Sequence, residues 1–221
     1  MSKPLMPISF SIITATYNRG KTIFRTLSSV KNQNYKHIES IIVDGCSKDN
    51  TLKIISPLLG SQDTLISEPD EGIYHALNKG LKCATGDIVS FLHSDDFYYD
   101  ENIISSVAEI FKDNSIDIVY GDVCFFKEGD KSKIVRNYKS DILSVTNLAW
   151  GKMPAHPAIF CRKKVYDEIG SFKTDFKIAA DYEFLCRLIL NSDFNAMHLE
   201  QNLVMMQSGG ASRIGIKNTI L

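Results

Sequence analysis

The stretch GDIVSFLHSDD, from Gly86 to Asp96, runs from an apolar segment into two adjacent carboxylates. Residues 87–92 are short, apolar and rich in β-branched and aromatic side chains, which predicts a strand covered on both faces. The carboxylates Asp95 and Asp96 follow at once, and then Ile103, Val107, Ile110 and Phe111 recur at helical spacing. Upstream, residues 8–15 predict a strand, and Ile23, Leu27 and Val30 fall at i, i+4 and i+7, predicting a helix over 21–33. Residues 38–44 predict a second strand that ends on Asp44. A helix is expected over 49–59, with Ser47 or Asp49 as its N-cap. Residues 64–67 predict a short strand. Ile73, Ala76, Leu77 and Leu81 mark a helix closed by Gly80 or Gly86, and residues 116–120 predict a further strand.

Strands alternating with helices in this order predict an α/β fold, with a mostly parallel central sheet and helices on both faces. From about Gly121 the pattern changes. Residues 123–138 alternate around a polar turn at 127–133, predicting an antiparallel hairpin. A strand over 157–162, a helix from 163 and a helix over 180–191 complete a smaller mixed region. The 221 residues lack internal repeats and linkers, so a single domain over 1–221 is expected.

The composition excludes several classes. Lys and Arg total 25 against 26 Asp and Glu, which argues against a nucleic-acid binder with its basic face. Hydrophobic residues at 44% support a core, and no apolar run approaches the roughly 18 residues of a spanning helix. Residues 1–7 lack the basic start and apolar stretch of a signal peptide. The five cysteines are odd in number and form no CxxC pair, so reduced thiols and a cytoplasmic location are expected. The sequence ends at Ile220 and Leu221 without a stop signal, which leaves a longer native chain open.

In open α/β sheets the ligand sits beyond the carboxyl ends of the strands. There the sequence places Thr14 to Arg19, then Asp44-Gly45 with Asp49, then Glu68, Asp70 and Glu71, then His93 to Asp96. Crowded carboxylates repel and raise one another's pKa, which a divalent cation or a donor-rich ligand would offset. Taken singly, Asp44, Asp70 and Asp95-Asp96 also read as turn or cap residues. Residues 15–22, ATYNRGKT, approach a phosphate-cradling loop, but alanine replaces its first glycine and Tyr17 and Arg19 are bulky. An NTPase stays as a weaker alternative, beside a non-catalytic ligand-binding subunit.

These motifs, in order, are SIITATYNRG (11–20), IIVDGCSKDNT (41–51), EPDEGIYHALNKG (68–80), GDIVSFLHSDD (86–96), HPAIFCRKKVYDEIGSF (156–172) and AADYEFLCRL (179–188). Together they resemble the inverting glycosyltransferases of family two, which have the GT-A fold. The run D-x-G-I-Y-x-A-x-N-K-G is similar to enzymes that build bacterial O-antigen and capsule sugars. The resemblance implies a nucleotide-sugar-binding half over 1–121 and an acceptor-binding half over 122–221. It implies that Thr14, Tyr17, Asn18 and Asp44 hold the nucleotide of a UDP-sugar and that Asp70, Asn78 and Asp95 line the donor pocket. Asp96 is implied as ligand to Mn2+ or Mg2+ and Asp181 as catalytic base. His156 is implied near the diphosphate or acceptor, against a structural histidine as the other reading. Where many relatives have Asp-Asp after the second strand, this chain has Asp44-Gly45. The implied substrates are UDP-glucose or UDP-galactose and a lipid-diphosphate-linked saccharide at the inner face of the cytoplasmic membrane.

The chemistry suits these residue types. A departing nucleoside diphosphate calls for a hard cation held by carboxylates, and an acceptor hydroxyl needs a base. Trp150 reads as a sugar platform or as a core or lid anchor. His75 and His93 read as structural or solvated, and Arg162, Lys163 and Lys164 as a solvated helix start or a contact to an anionic acceptor. Asp181 is expected just before its helix, where a cap is the competing reading.

Overall fold

The structure, a computed structural model, describes residues 7–208 apart from 128 and 192. The first half runs β1 (Phe10–Thr16), α1 (Ile23–Lys31), β2 (Ile38–Asp44), α2 (Thr51–Ile55), β3 (Thr64–Ser67), α3 (Ile73–Cys83), β4 (Ile88–Phe91), β5 (Phe97–Tyr98) and α4 (Ile103–Ile110). The second half runs β6 (Ile118–Lys127), β7 (Asp130–Tyr138), α5 (Val145–Ala149), β8 (Ile159–Arg162), α6 (Lys163–Ile169), α7 (Ala180–Asn191) and β9 (Ala196–Gln207).

Every residue of β1 is buried, as a central strand covered on both faces requires. Phe10 and Ile12 pack with Val30 of α1 and with Ile104 and Val107 of α4. Ile13 and Ala15 point the other way, onto Ala76, Leu77 and Leu81 of α3. The period-two alternation of one strand thus places a helical layer on each side of the sheet. The fold is the expected α/β arrangement.

The sheet order is β3-β2-β1-β4-β8-β6-β9-β5, with β7 paired to β6. It is parallel through β3-β2-β1-β4 and mixed beyond. There β8 lies antiparallel between β4 and β6, so the strand expected at 116–120 does not join the parallel set directly. In the parallel ladder Thr16 pairs with Asp44 and Asp44 with Ser67. The carboxyl ends of three strands are therefore level, and their loops share one edge.

Other expectations are corrected. The helix expected over 49–59 is α2 followed by a 3-10 turn, Ser56–Leu58, entered by Pro57. Gly80 does not close α3, which continues to Cys83. A Cβ on Gly80 would stand 2.4 Å from Ile13 Cγ2, so this glycine lets the helix approach the sheet. The strand expected over 157–162 begins only at Ile159, because His156–Ala158 form a 3-10 turn before it. Strand β9 was not expected, since its register against β6 shifts around Asp122 and Leu203, Val204 and Met205 are buried in succession. No helix among the described residues is long and apolar enough to cross a membrane.

Candidate active site

A cavity of about 720 Å³ opens beyond the carboxyl ends of β1 and β4. Of the residues singled out in the sequence, Tyr17, Asp70, Asp95, Asp96, His156 and Asp181 line it. Tyr17 is more than half exposed at its mouth. Asp70 is held by the backbone N–H of Gly72 at 3.0 Å, in the turn that starts α3. A Cβ on Gly45 would stand 2.6 Å from Asp70 Oδ2. The glycine after Asp44 therefore makes room for the Asp70 carboxylate.

The loop after β4 is braced from α1. The Arg25 guanidinium donates to the carbonyl of Asp95 at 2.8 Å, and the Thr26 hydroxyl to the carbonyl of Asp96 at 2.7 Å. Arg25 lies between the rings of Phe97 and Phe126, 4.7 and 4.8 Å from their centroids, a double cation–π contact. Asp96 is 3% exposed. Burial first, and then the neighbouring Asp95, push its carboxyl well above the usual carboxylate range. A buried carboxylate beside a second one is the donor set that a hard divalent cation relieves. Among the described residues no group of three or more His, Cys, Asp or Glu could hold a metal, so further ligands would come from a bound substrate.

Asp181, which lines the same cavity, is the second residue of α7 and lies in its first turn, not before it as expected. Ala179, two residues earlier, takes φ 69, a left-handed conformation costly for alanine. It turns the chain into the helix. Asp181 Oδ1 accepts from the Tyr74 hydroxyl and from the Tyr182 N–H, each at 3.0 Å. Tyr182 in turn donates to the carbonyl of Leu148 in α5 at 2.7 Å.

Two histidines complete the floor. His156 stacks on Phe91 at 5.0 Å and meets Phe172 edge-on at 5.2 Å. His93 lies 5.8 Å from His156. Burial pulls the His156 imidazole down to about 4, against the opposing pull of Asp181. Burial also lowers His93, with Asp95 and Asp181 opposing. His156 Nε2 and His93 Nδ1 are buried without a hydrogen-bond partner.

Thr14, Asn18, Asp44 and Asn78 are not among the residues lining the cavity. Thr14 is buried within β1. Asn18, at φ 52, accepts from the Lys48 N–H at 2.7 Å, and its own N–H donates to Ser47 Oγ. The Asp44 carboxylate is fully buried and ties down the next loop, accepting from the Ser47 N–H and the Ser67 hydroxyl. The Asn78 amide donates to the carbonyl of Phe172 at 2.7 Å and accepts its N–H at 3.0 Å. Lys21, which a phosphate-cradling loop would aim at its ligand, is exposed and away from the cavity.

Trp150 is 80% exposed, so it is no core anchor. Arg162 is not a solvated helix start, since its guanidinium reaches the carbonyls of Phe111, Asp113 and Ile116. Sequence reasoning missed Tyr74, Arg136, Tyr138, Met206 and Gln207, all at the cavity, and passed over His93 as structural. Only Tyr74 carried a signal, standing one helical turn before Asn78.

Residues 11–170 match the family described as Glycosyl transferase family 2. A PGL/p-HBAD biosynthesis glycosyltransferase of Mycobacterium tuberculosis is 29% identical over 227 residues, covering 96% of this chain and 80% of its own. A second glycosyltransferase of that organism is 31% identical over 183 residues, covering 81% of this chain and 68% of its own. Among solved structures, S. aureus TarS in complex with UDP-GlcNAc superposes with a TM-score of 0.76 at 22% identity, over 92% of this chain and 60% of that one. The mannosyltransferase PcManGT from Pyrobaculum calidifontis, in complex with GDP-Man and Mn2+, superposes with a TM-score of 0.72 at 21% identity, over 97% and 62%. This chain thus spans about three-fifths of either solved chain, and at these identities the likeness concerns the fold.

Proposed function

We infer, from the premise that this chain belongs to glycosyl transferase family 2 and is a glycosyltransferase, that it moves a hexose from a UDP-sugar to a saccharide hydroxyl with inversion. The observation that carries this reading is that Asp181 shares one cavity with Asp95 and Asp96. A base and an anion-handling loop lining one cavity suit a single displacement. The acceptor hydroxyl would lose its proton to Asp181, a contribution typically of ~10²–10⁴-fold.

Asp96, with Asp95 beside it, would hold Mn2+ or Mg2+. Such a cation supplies charge neutralisation for a departing diphosphate. Tyr17 and Asp70 would meet the nucleotide, and both line the cavity together with His156. Tyr17 offers an exposed ring face to a base, and Asp70 a carboxylate to hydroxyls. GDP-Man and UDP-GlcNAc in the two solved neighbours support a nucleotide-sugar donor. The choice of UDP-glucose or UDP-galactose rests on the sequence resemblance.

The acceptor reading is a lipid-diphosphate-linked saccharide of bacterial surface-polysaccharide synthesis, met at the inner face of the cytoplasmic membrane. It is supported by exposed Ile142, Val145 and Trp150, in the segment that leads to Met153 and Pro154 at the cavity. An indole and branched aliphatic side chains suit a bilayer interface.

The test is UDP and GDP release from a panel of UDP-glucose, UDP-galactose, UDP-GlcNAc and GDP-mannose with a lipid-linked N-acetylhexosamine, products being read by mass. Asp181→Asn is expected to keep UDP binding and to lose at least ~10²-fold in turnover. An Asp181→Asn enzyme with more than about a tenth of wild-type turnover, a barrier change below ~1.4 kcal/mol, would overturn the base assignment.

A further inference from the structure

Helix α3 faces the donor-side loops at its N-terminus, yet two of its side chains reach across to the later half of the chain. Tyr74 and Asn78 lie one turn apart on one face of the helix. Asn78 closes two hydrogen bonds on the backbone of Phe172, at 2.7 and 3.0 Å. The Phe172 ring then packs against Tyr74 at 5.7 Å, His156 at 5.2 Å and Phe184 of α7 at 5.4 Å. Held in that way, the Tyr74 hydroxyl donates to Asp181 Oδ1 at 3.0 Å.

We propose that Tyr74 is a positioning residue for Asp181, fixing which oxygen of that carboxylate takes the acceptor's proton, and that Asn78 braces it through Phe172. Among the described residues both hydrogen bonds to the Asp181 carboxylate fall on Oδ1. Oδ2 is the oxygen left for an incoming hydroxyl. A carboxylate free to rotate about its last bond would present either oxygen, at the wrong angle for part of the time. Holding a reacting group in place is worth up to about 10²-fold for an ångström of displacement. The bond has a direction: burial, and then the Asp181 charge, push the Tyr74 phenol up, so it donates and does not ionise.

This inference rests on Asp181 being the base, and the experiment separates the two ideas. Tyr74→Phe keeps the ring against Phe172 and removes only the hydroxyl. Turnover is measured with the most active donor of the panel above, and binding with UDP by calorimetry. The expected result is a kcat lower by about 10-fold with the UDP Kd within about twofold of wild type. The double variant Tyr74→Phe/Asp181→Asn should be no slower than Asp181→Asn alone, because a positioning group has nothing left to position.

A wild-type kcat in Tyr74→Phe, with Asp181→Asn collapsed, would overturn the positioning role and leave the base standing. Loss of UDP affinity in step with kcat, or additive losses in the double variant, would make Tyr74 a binding or packing residue and overturn it equally. An active Asp181→Asn enzyme, or no nucleotide release from any donor, would remove the base reading and this one with it.

Discussion

The carboxylate of Asp96 accepts a 3.2 Å hydrogen bond from the backbone N–H of Gln207, so the end of β9 closes over the loop after β4. That is the one hydrogen bond to this carboxylate among the described residues, and burial together with Asp95 disfavours its charge. A folded pKa raised above the unfolded value means stability present at low pH and lost as pH rises through it. At neutral pH Asp96→Asn is therefore expected to stabilise the metal-free protein, by on the order of 1 kcal/mol. Mn2+ is expected to raise the melting temperature of the wild type, and the same variant is expected to lose that rise. Thermal melts with Mn2+ and with chelator check both; a destabilised variant that keeps its Mn2+ shift contradicts the assignment.

His156 gives the opposite sign. Burial holds its imidazole down to about 4, below the unfolded value of about 6.5. Between those two values the unfolded chain binds more protons, so stability falls as pH drops through the window and levels off beneath it. His156→Phe keeps an aromatic ring between Phe91 and Phe172, and should flatten part of that acid slope, by up to about 3 kcal/mol. Urea midpoints from pH 7 to 4 for both proteins decide it, and parallel curves would refute the prediction.

Asn78 is expected to matter for stability before it matters for donor binding. Asn78→Ala leaves the N–H and carbonyl of Phe172 without their partners, at about 1–3 kcal/mol for unpaired buried groups. UDP affinity should hold within about twofold, since no ligand contact is removed. Calorimetry on the folded variant distinguishes this from a donor-pocket role, which would show as lost affinity at unchanged stability.

Gly80→Ala probes the approach of α3 to the sheet. The added methyl would meet Ile13 Cγ2 at 2.4 Å and Val43 Cγ2 at 3.3 Å, both on buried side chains. Overpacking of this kind costs about 1–3 kcal/mol, outweighing the roughly 1 kcal/mol that alanine gains over glycine within a helix. A melting temperature equal to or above wild type would show that the interface can relax.

The helix–strand alternation, the mostly parallel character of the sheet and the carboxylates at its edge were legible in the sequence. Each rests on local rules: period-two and period-3.6 burial, and the side-chain types that follow a strand. Asp95 and Asp96 could be singled out for the same reason, as charged groups at a strand end, whereas Asp181 was marked by the family resemblance. Which of these residues meet was decided by tertiary structure. Asn78 turns to Phe172 instead of the cavity, Asp44 is consumed within its own loop, and Tyr74 reaches Asp181 107 residues away. The late strand β9 stayed hidden because a register shift breaks its alternation, yet its end supplies the N–H that meets Asp96. Local pattern reports only whether a side chain faces inward. Its partner there depends on strand order and helix approach, which are settled by packing between segments far apart in the chain.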